Sequence, residues 1–410
     1  MNFPRALVIY FTIFFLYLAL QGYLFFRIRN YLRHGIFRRE IQRFLLGFVI
    51  SLFLLALFPV VWRFFFGWQN HPPIPWLFRS LSYFSAIWGF GSIGAVLVLL
   101  GYEFSRLLLR ISRSAVTSPD LRRRDFLKKG VGIAATAPFL VSGYGVLLGR
   151  HRFGVEDFEL PVSGLSSDLS HFSIVQLTDI HVGPFMPAEE LAAYVEAVNR
   201  LKPDLIALTG DFISTTVDEV APCVDTLAGL KARYGVFACM GNHDVYAGAD
   251  GELTRRFTEK GIQVLRNDAV SLSVNQTKLS ILGIEDLRWG RPDLTRALRA
   301  AEREPGEVKL LLSHRPEAFP QAAQSGIDVI LSGHYHGGQV KLDSDPESLS
   351  IAHFVTPYPE GMFRLPRQYS GPVADQRDAV LFVSRGIGIT GLPIRINCPP
   401  QIAHLMLKKA

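Results

Sequence analysis

At 410 residues the chain is long enough for two or more domains, and its net charge of +7 suggests at first an acidic partner. The charge is split: residues 1–150 hold 18 Lys and Arg against 4 Asp and Glu, a net of +14, and residues 151–410 hold 25 against 32, a net of −7. The split excludes nucleic acid as the reason for the basicity and separates a basic, apolar amino-terminal part from a mildly acidic globular one. The three cysteines, Cys223, Cys239 and Cys398, form no C-x-x-C pair and define no redox compartment.

Four apolar runs follow in order: Ala6–Phe26, Phe44–Trp62, Leu81–Leu100 and Val131–Leu148. A spanning helix needs about 20 mostly apolar residues. The first three runs meet this, and the fourth is shorter and richer in Gly and Ala. None shows the polar stripe of a soluble helix, so residues 1–150 are expected to be an all-α transmembrane region of about four helices. The first and third connections are basic, with Arg27, Arg29, Arg33, Arg38 and Arg39 in one and "LRRRDFLKKG" closing the other. The second, "GWQNHPPIPWLFR", carries one Arg and two Trp. The positive-inside rule makes the basic connections cytoplasmic. The expectation is a multi-pass protein of the inner membrane whose residues 151–410 lie outside the cytoplasm. "RRRDFLKK" (Arg122–Lys129) also resembles a bacterial twin-arginine export signal, with Arg123, Arg124, Phe126, Leu127 and Lys128 in place, although Arg122 stands where Ser or Thr is usual and the motif is internal. The other reading is a basic flank anchoring the fourth helix.

Residues 151–410 read as strands that end in metal-ligand types. "HFSIVQLTDIH" ends at Asp179 and His181, and "PDLIALTGD" at Asp211. "AEELAAYVEAVNRL" between them has helical spacing, so the pair is a parallel βαβ unit. "YGVFACMGNHD" ends at Asn242, His243 and Asp244, "EVKLLLSHRP" at His314, and "IDVILSGHYH" at His334 and His336. "SLSVNQTKLSILGI" reads as a hairpin without ligands, and the carboxyl-terminal run as further strands. Ligands in open α/β sheets bind beyond the carboxyl ends of strands. Glycine precedes three of the candidates, at Gly210, Gly241 and Gly333, where it permits close backbone approach. Imidazole mixed with carboxylate suits Mn, Fe or Zn better than Mg or Ca, and the absence of cysteine from the set argues against a structural zinc site.

Asp179-Ile180-His181, Gly210-Asp211, Gly241-Asn242-His243-Asp244, His314 and Gly333-His334-Tyr335-His336 match, in order and spacing, the blocks of the calcineurin-like metallophosphoesterases. The resemblance covers most of residues 170–340. The "GGQ" after His336 and "SRGIGITGLPIR" near the end resemble a membrane-associated bacterial branch, some of whose members carry twin-arginine signals and others of which cleave the pyrophosphate of UDP-diacylglucosamine. The resemblance implies an α/β two-sheet sandwich flanked by helices. It also implies two divalent ions: Asp179, His181 and His336 on the first, Asn242, His314 and His334 on the second, Asp211 bridging. A metal-bridged hydroxide would attack the phosphorus. Four positive charges less two carboxylates and a hydroxide leave a net positive site for an anionic substrate. His243 would protonate or stabilise the leaving oxygen, with Asp244 orienting its other ring nitrogen. Two positions depart from the pattern: Ser214 replaces a common Asp, and Tyr335 stands where a smaller residue is usual.

His151, His171, His353 and His404 are expected to be ordinary histidines, and "HFVTPYPEGMFRLPRQYSG" (His353–Gly371) an irregular loop, with an interfacial or substrate-contacting loop as the second reading. The leading expectation is a membrane-tethered, metal-dependent phosphoesterase acting on a phosphorylated small molecule or lipid. A UDP-lipid pyrophosphohydrolase, which needs a cytoplasmic site, is the enzymatic alternative. A membrane sensor or scaffold with a degenerate domain is the other, and the intact ligand set argues against it. Glu103 is the one acidic residue near a span that could mark a transport path. No pattern bears on oligomeric state.

Overall fold

The computed structural model describes residues 3–33, 38–66, 75–112, 121–301, 307–345, 347–366 and 378–410. The chain divides into two compact units, Met1–Leu148 and Gly149–Ala410.

The first unit is helical: α1 (Phe3–Arg33), α2 (Arg39–Phe66), α3 (Pro75–Ser112), α4 (Leu121–Ala134) and α5 (Ala137–Leu147). Among the described residues, three stretches are long and apolar enough to cross a membrane: Arg39–Trp62, Trp76–Leu109 and Lys129–His151. Their outward side chains, such as Phe44, Leu54, Leu97 and Leu140, are exposed and apolar, as a lipid-facing helix requires. The first apolar run lies within α1, whose first side chains are outside the described residues. The fourth run is not one continuous helix. Pro138 sits in the first turn of α5, where its missing N–H costs nothing, and α4 has already ended at Ala134. Glu103 accepts from Arg27 at 2.8 Å and lies 3.4 Å from Arg106, so it is neutralised rather than offered to a transported ion. Residues 34–37, 67–74 and 113–120 of the connections lie outside the described residues, as do the side chains of Leu121–Asp125 and Lys128 in and beside the twin-arginine-like motif.

The second unit is a two-sheet α/β sandwich. Its strands are β1 (Gly154–Val162), β2 (Ser173–Leu177), β3 (Leu205–Thr209), β4 (Val236–Cys239), β5 (Gln263–Val264), β6 (Asp268–Val274), β7 (Thr277–Gly283), β8 (Val308–Leu312), β9 (Val329–Ser332), β10 (Gly361–Pro366), β11 (Asp378–Val383) and β12 (Gln401–Lys409). One sheet runs β1-β12-β2-β3-β4-β5 and the other β10-β11-β9-β8-β7-β6. β2 to β5 are mutually parallel, as are β7, β8, β9 and β11.

Successive side chains on a strand face opposite ways, and here both ways are buried. In β3, Leu205 and Ala207 enter the core between the sheets, and Ile206 and Leu208 face the helical layer. In β9, Val329 and Leu331 face inward and Ile330 outward. Helices α6 (Ala188–Leu201), α7 (Val220–Leu227) and α9 (Asp250–Glu259) cover the first sheet. The second is covered by α10 (Leu294–Ala300) and α11 (Phe319–Gln324). Each fully buried Leu, Ile or Phe contributes about 1.5–3 kcal/mol. The unbroken apolar strands therefore fix which end of each the polar residues must leave from. α8 (Asn242–Tyr246) starts at the expected ligand block itself. The segment expected as an irregular loop after His353 contains β10, while residues 367–371 of it lie outside the described residues.

Candidate metal centre

All seven expected ligands leave the carboxyl ends of strands within a few residues: Asp179 and His181 after β2, Asp211 after β3, Asn242 after β4, His314 after β8, His334 and His336 after β9. Five of them adopt left-handed backbone conformations, with φ of 52° at Asp179, 53° at His181, 55° at Asp211, 78° at His334 and 52° at His336. Such conformations are unfavourable for residues with a Cβ and persist where surrounding structure holds them, commonly at functional sites. Two glycines bring the loops together. A Cβ on Gly241 would strike the Asp211 carboxylate, and one on Gly333 would strike Asp179.

The donor atoms converge. Among the described residues, three sets each place one ligand atom per residue within 4.8 Å of the others: Asp179, His181 and His336; His181, Asp211 and His243; Asp211, His314 and His334. The Nε2 atoms of His181 and His336 are 3.1 Å apart, His336 Nε2 is 3.2 Å from Asp179 Oδ1, and His181 Nε2 is 3.6 Å from Asp211 Oδ2. His314 Nε2 lies 3.2 Å from Asp211 Oδ2 without the alignment of a hydrogen bond. Two atoms bound tetrahedrally to one ion at 2.0–2.1 Å lie about 3.3 Å apart, so these spacings fit a divalent ion. His314 Nδ1 donates to Thr209 O at 2.8 Å, which leaves Nε2 as the ring atom facing Asp211. His181 Nδ1 and His314 Nε2 are buried without a hydrogen-bond partner in the protein.

Burial alone would raise the carboxyls of Asp179 and Asp211, but His336 beside the one and His314 beside the other hold both well below the usual range. Burial disfavours protonated His314, yet Asp211 outweighs it and raises His314 to about 10. His334 is pushed down to about 2 by burial and by the charges of His314 and Arg315. Burial, then the neighbouring His243, pushes His181 down as well. The two carboxylates thus hold charge where cations would sit, and His181 and His334 stay neutral, as ligands must.

His243 and Asp244 are close in sequence and far apart in role. The expected Asp244–His243 hydrogen bond does not form. Asp244 instead accepts backbone N–H groups from Asp211 at 3.0 Å, Phe212 at 2.8 Å, Ile213 at 3.3 Å and Gly241 at 2.8 Å. It braces the loop of Asp211 to the loop of Asn242, and its side chain is committed there. Burial and then the Asp211 charge push its carboxyl up to about 8, against the pull of those N–H groups. His243 Nδ1 is held by Ser214 O at 2.6 Å and by the Tyr246 hydroxyl, and its Nε2 lies 3.4 Å from Thr390 Oγ1. Ser214 also donates from Oγ to His181 O at 2.9 Å, so it ties two site residues through backbone carbonyls.

Arg315 was not among the expected residues. Its Nη1 is 2.5 Å from His334 Nε2, Nη2 donates to Asn242 Oδ1 at 3.1 Å, and Nε donates to Asp286 Oδ2 at 2.7 Å. A buried guanidinium thus lies against two of the ligands assigned to the second ion. Asp286 follows β7, so the rule of polar residues after strand ends applied to the hairpin taken as free of ligands. Tyr335 bonds Glu317 and packs against the His334 ring, 4.7 Å between centroids, so it lines the centre.

The family model for calcineurin-like phosphoesterases matches residues 172–338. The chain is 30% identical over 300 residues to the uncharacterized metallophosphoesterase YkuE of Bacillus subtilis, covering 70% of this chain and 98% of that protein. It is 28% identical over 338 residues to a transmembrane protein with metallophosphoesterase domain from Danio rerio, covering 78% and 73%. An uncharacterized metallophosphoesterase of Helicobacter pylori is 28% identical over 318 residues, covering 76% and 78%.

Proposed function

Because the chain belongs to the calcineurin-like metallophosphoesterases, and is therefore a metal-dependent phosphoric ester hydrolase, we propose that residues 1–150 tether it in a membrane and residues 151–410 cleave a phosphoester with two divalent ions. Asp179, His181 and His336 would hold one ion, Asn242, His314 and His334 the other, and Asp211 both. The observation that carries this is the place of Asp211, whose carboxylate belongs to two of the three convergent donor sets. Mn, Fe or Zn suits the mixture of imidazole and carboxylate. When bound, such a pair supplies Lewis-acid polarisation of phosphoryl oxygens and a water of lowered pKa.

The chain's own residues do the rest. Arg315, a buried cation beside the second set of ligands, would orient an anionic oxygen and holds His334 and Asn242. Ser214 O can only accept, so His243 Nδ1 donates to it, which leaves Nε2 as the ring atom that would serve a departing oxygen. Membrane tethering is supported by three apolar helices long enough to span and by the transmembrane relative. α1, at 31 residues and about 46 Å, is long enough for a fourth span. With four spans and basic first and third connections, the catalytic unit lies outside the cytoplasm, and the substrate is a phosphorylated small molecule or lipid.

The test is turnover by the purified full chain with Mn²⁺ on chromogenic monoesters, chromogenic diesters and nucleotide-linked lipids. Metal-dependent cleavage of a simple ester supports the proposal. Cleavage restricted to the UDP-linked lipid would move the protein to the pyrophosphohydrolase alternative and its active site to the cytoplasm.

A further inference from the structure

Directly after the ligand His336 the chain makes an excursion, residues 341–356, that buries little of its own apolar surface. Phe354 is 78% exposed, Leu342 76%, Val355 68%, Ile351 64% and Leu349 49%. Leu392 is exposed on the neighbouring segment. Scattered exposed apolar residues are ordinary, but five within fifteen residues form a patch that marks contact with something apolar.

The fastening of this loop indicates what covers it. Lys341 N donates to Ile396 O at 3.0 Å, and Asn397 Nδ2 donates to Leu342 O at 3.0 Å. The same segment reaches Pro400, whose carbonyl accepts from Gly154 N at 3.2 Å. Gly154 opens β1 just after the candidate span that ends at His151. The root of the apolar loop is therefore tied to the strand that receives the chain from its last span. On its other side the loop adjoins the metal centre. Gln339 Nε2 donates to Thr390 O at 3.1 Å, and Thr390 Oγ1 lies 3.4 Å from His243 Nε2. The exposed charged residues of the loop are Asp343, Asp345 and Glu347, with no Lys or Arg from 342 to 355. Attraction to anionic headgroups is thus not what would hold it.

We infer that residues 342–355 seat by apolar burial in the lipid–water interface of the chain's own membrane. The metal centre beside them is thereby presented to phosphoesters whose apolar part remains in the bilayer. This substrate class rests on the phosphoesterase reading of the centre, whereas the seating of the loop does not.

The full chain in phosphatidylcholine nanodiscs tests both parts. The three native cysteines are buried, so a Phe354→Cys variant offers a thiol for an environment-sensitive fluorophore. Spin-labelled lipid should quench its emission, and that quenching should persist at high salt and weaken as phosphatidylserine replaces phosphatidylcholine. An Arg200→Cys control, on the exposed end of α6, should not be quenched. The triple variant Leu342→Ser, Phe354→Ser, Val355→Ser should lose about tenfold or more in turnover of a bilayer-embedded phosphoester and keep its turnover of bis(p-nitrophenyl) phosphate. No quenching at 354 overturns the inference. So does protection of that fluorophore that appears only at raised protein concentration, which would assign the patch to a second copy of the chain. An equal loss on both substrates also overturns it, because the loop would then act on the centre itself. If the unmodified chain cleaves neither ester, the phosphoesterase reading fails, and quenching still decides whether the loop meets lipid.

Discussion

His243 owes its position to one neighbour in the chain and two residues distant from it. Ser214 and Tyr246 hold one ring nitrogen, and Thr390, 147 residues away, lies beside the other. A ring so placed, within reach of Asp211 and His181, could move a proton or bind an ion. On the proposed account His243→Ala keeps both ions and loses activity on the order of 10²-fold, less for esters with good leaving groups, which need little protonation. Metal analysis beside a leaving-group series decides it, and loss of an ion would make His243 a ligand. Arg315 makes a different prediction. Its three nitrogens engage His334, Asn242 and Asp286 in a planar fork that a lysine ammonium cannot reproduce. Arg315→Lys should therefore lower kcat/KM by roughly tenfold or more with metal content unchanged. Activity equal to that of the unmodified chain would remove Arg315 from the machinery.

The elements place these side chains through crowded loop crossings. Gly241 N–H donates to Asp244, and its Cα passes so close to Asp211 that any side chain displaces that carboxylate. Gly241→Ala should cost about 1–3 kcal/mol in stability and reduce metal occupancy with it. Thermal melts with and without metal measure both, and an unchanged melt would show that the loop yields freely. The convergence of the candidate ligands was legible in the sequence because each follows an apolar run buried on both faces, so chain direction alone sends Asp179, Asp211, Asn242, His314 and His334 to one edge. Asp286 follows the same rule and was passed over because its strand belongs to a hairpin. Asp244 was misread because a neighbour in sequence was taken for a neighbour of the ring. Its carboxylate turns instead to the backbone of a loop 32 residues away. Strand order was not legible: β12, the last strand, lies between β1 and β2, a pairing that no local pattern encodes.

At the scale of the molecule, the proposed topology, from basic connections and four apolar runs, would put the catalytic unit outside the cytoplasm. Alkaline phosphatase fused after Arg150 should be active, and green fluorescent protein sent through the general secretory route at the same point should be dark. The reverse pattern would put the unit in the cytoplasm and discard the export-signal reading of Arg123 and Arg124. The central claim is narrower and can be tested by stoichiometry. On the proposed account one carboxylate, Asp211, would serve two ion positions, so its loss should empty both rather than halve the content. Elemental analysis of the purified full chain should therefore find two divalent ions per chain, and almost none after Asp211→Ala, with esterase activity lost in parallel. Two ions retained at full occupancy in that variant would contradict the shared-ligand centre on which the proposed function rests.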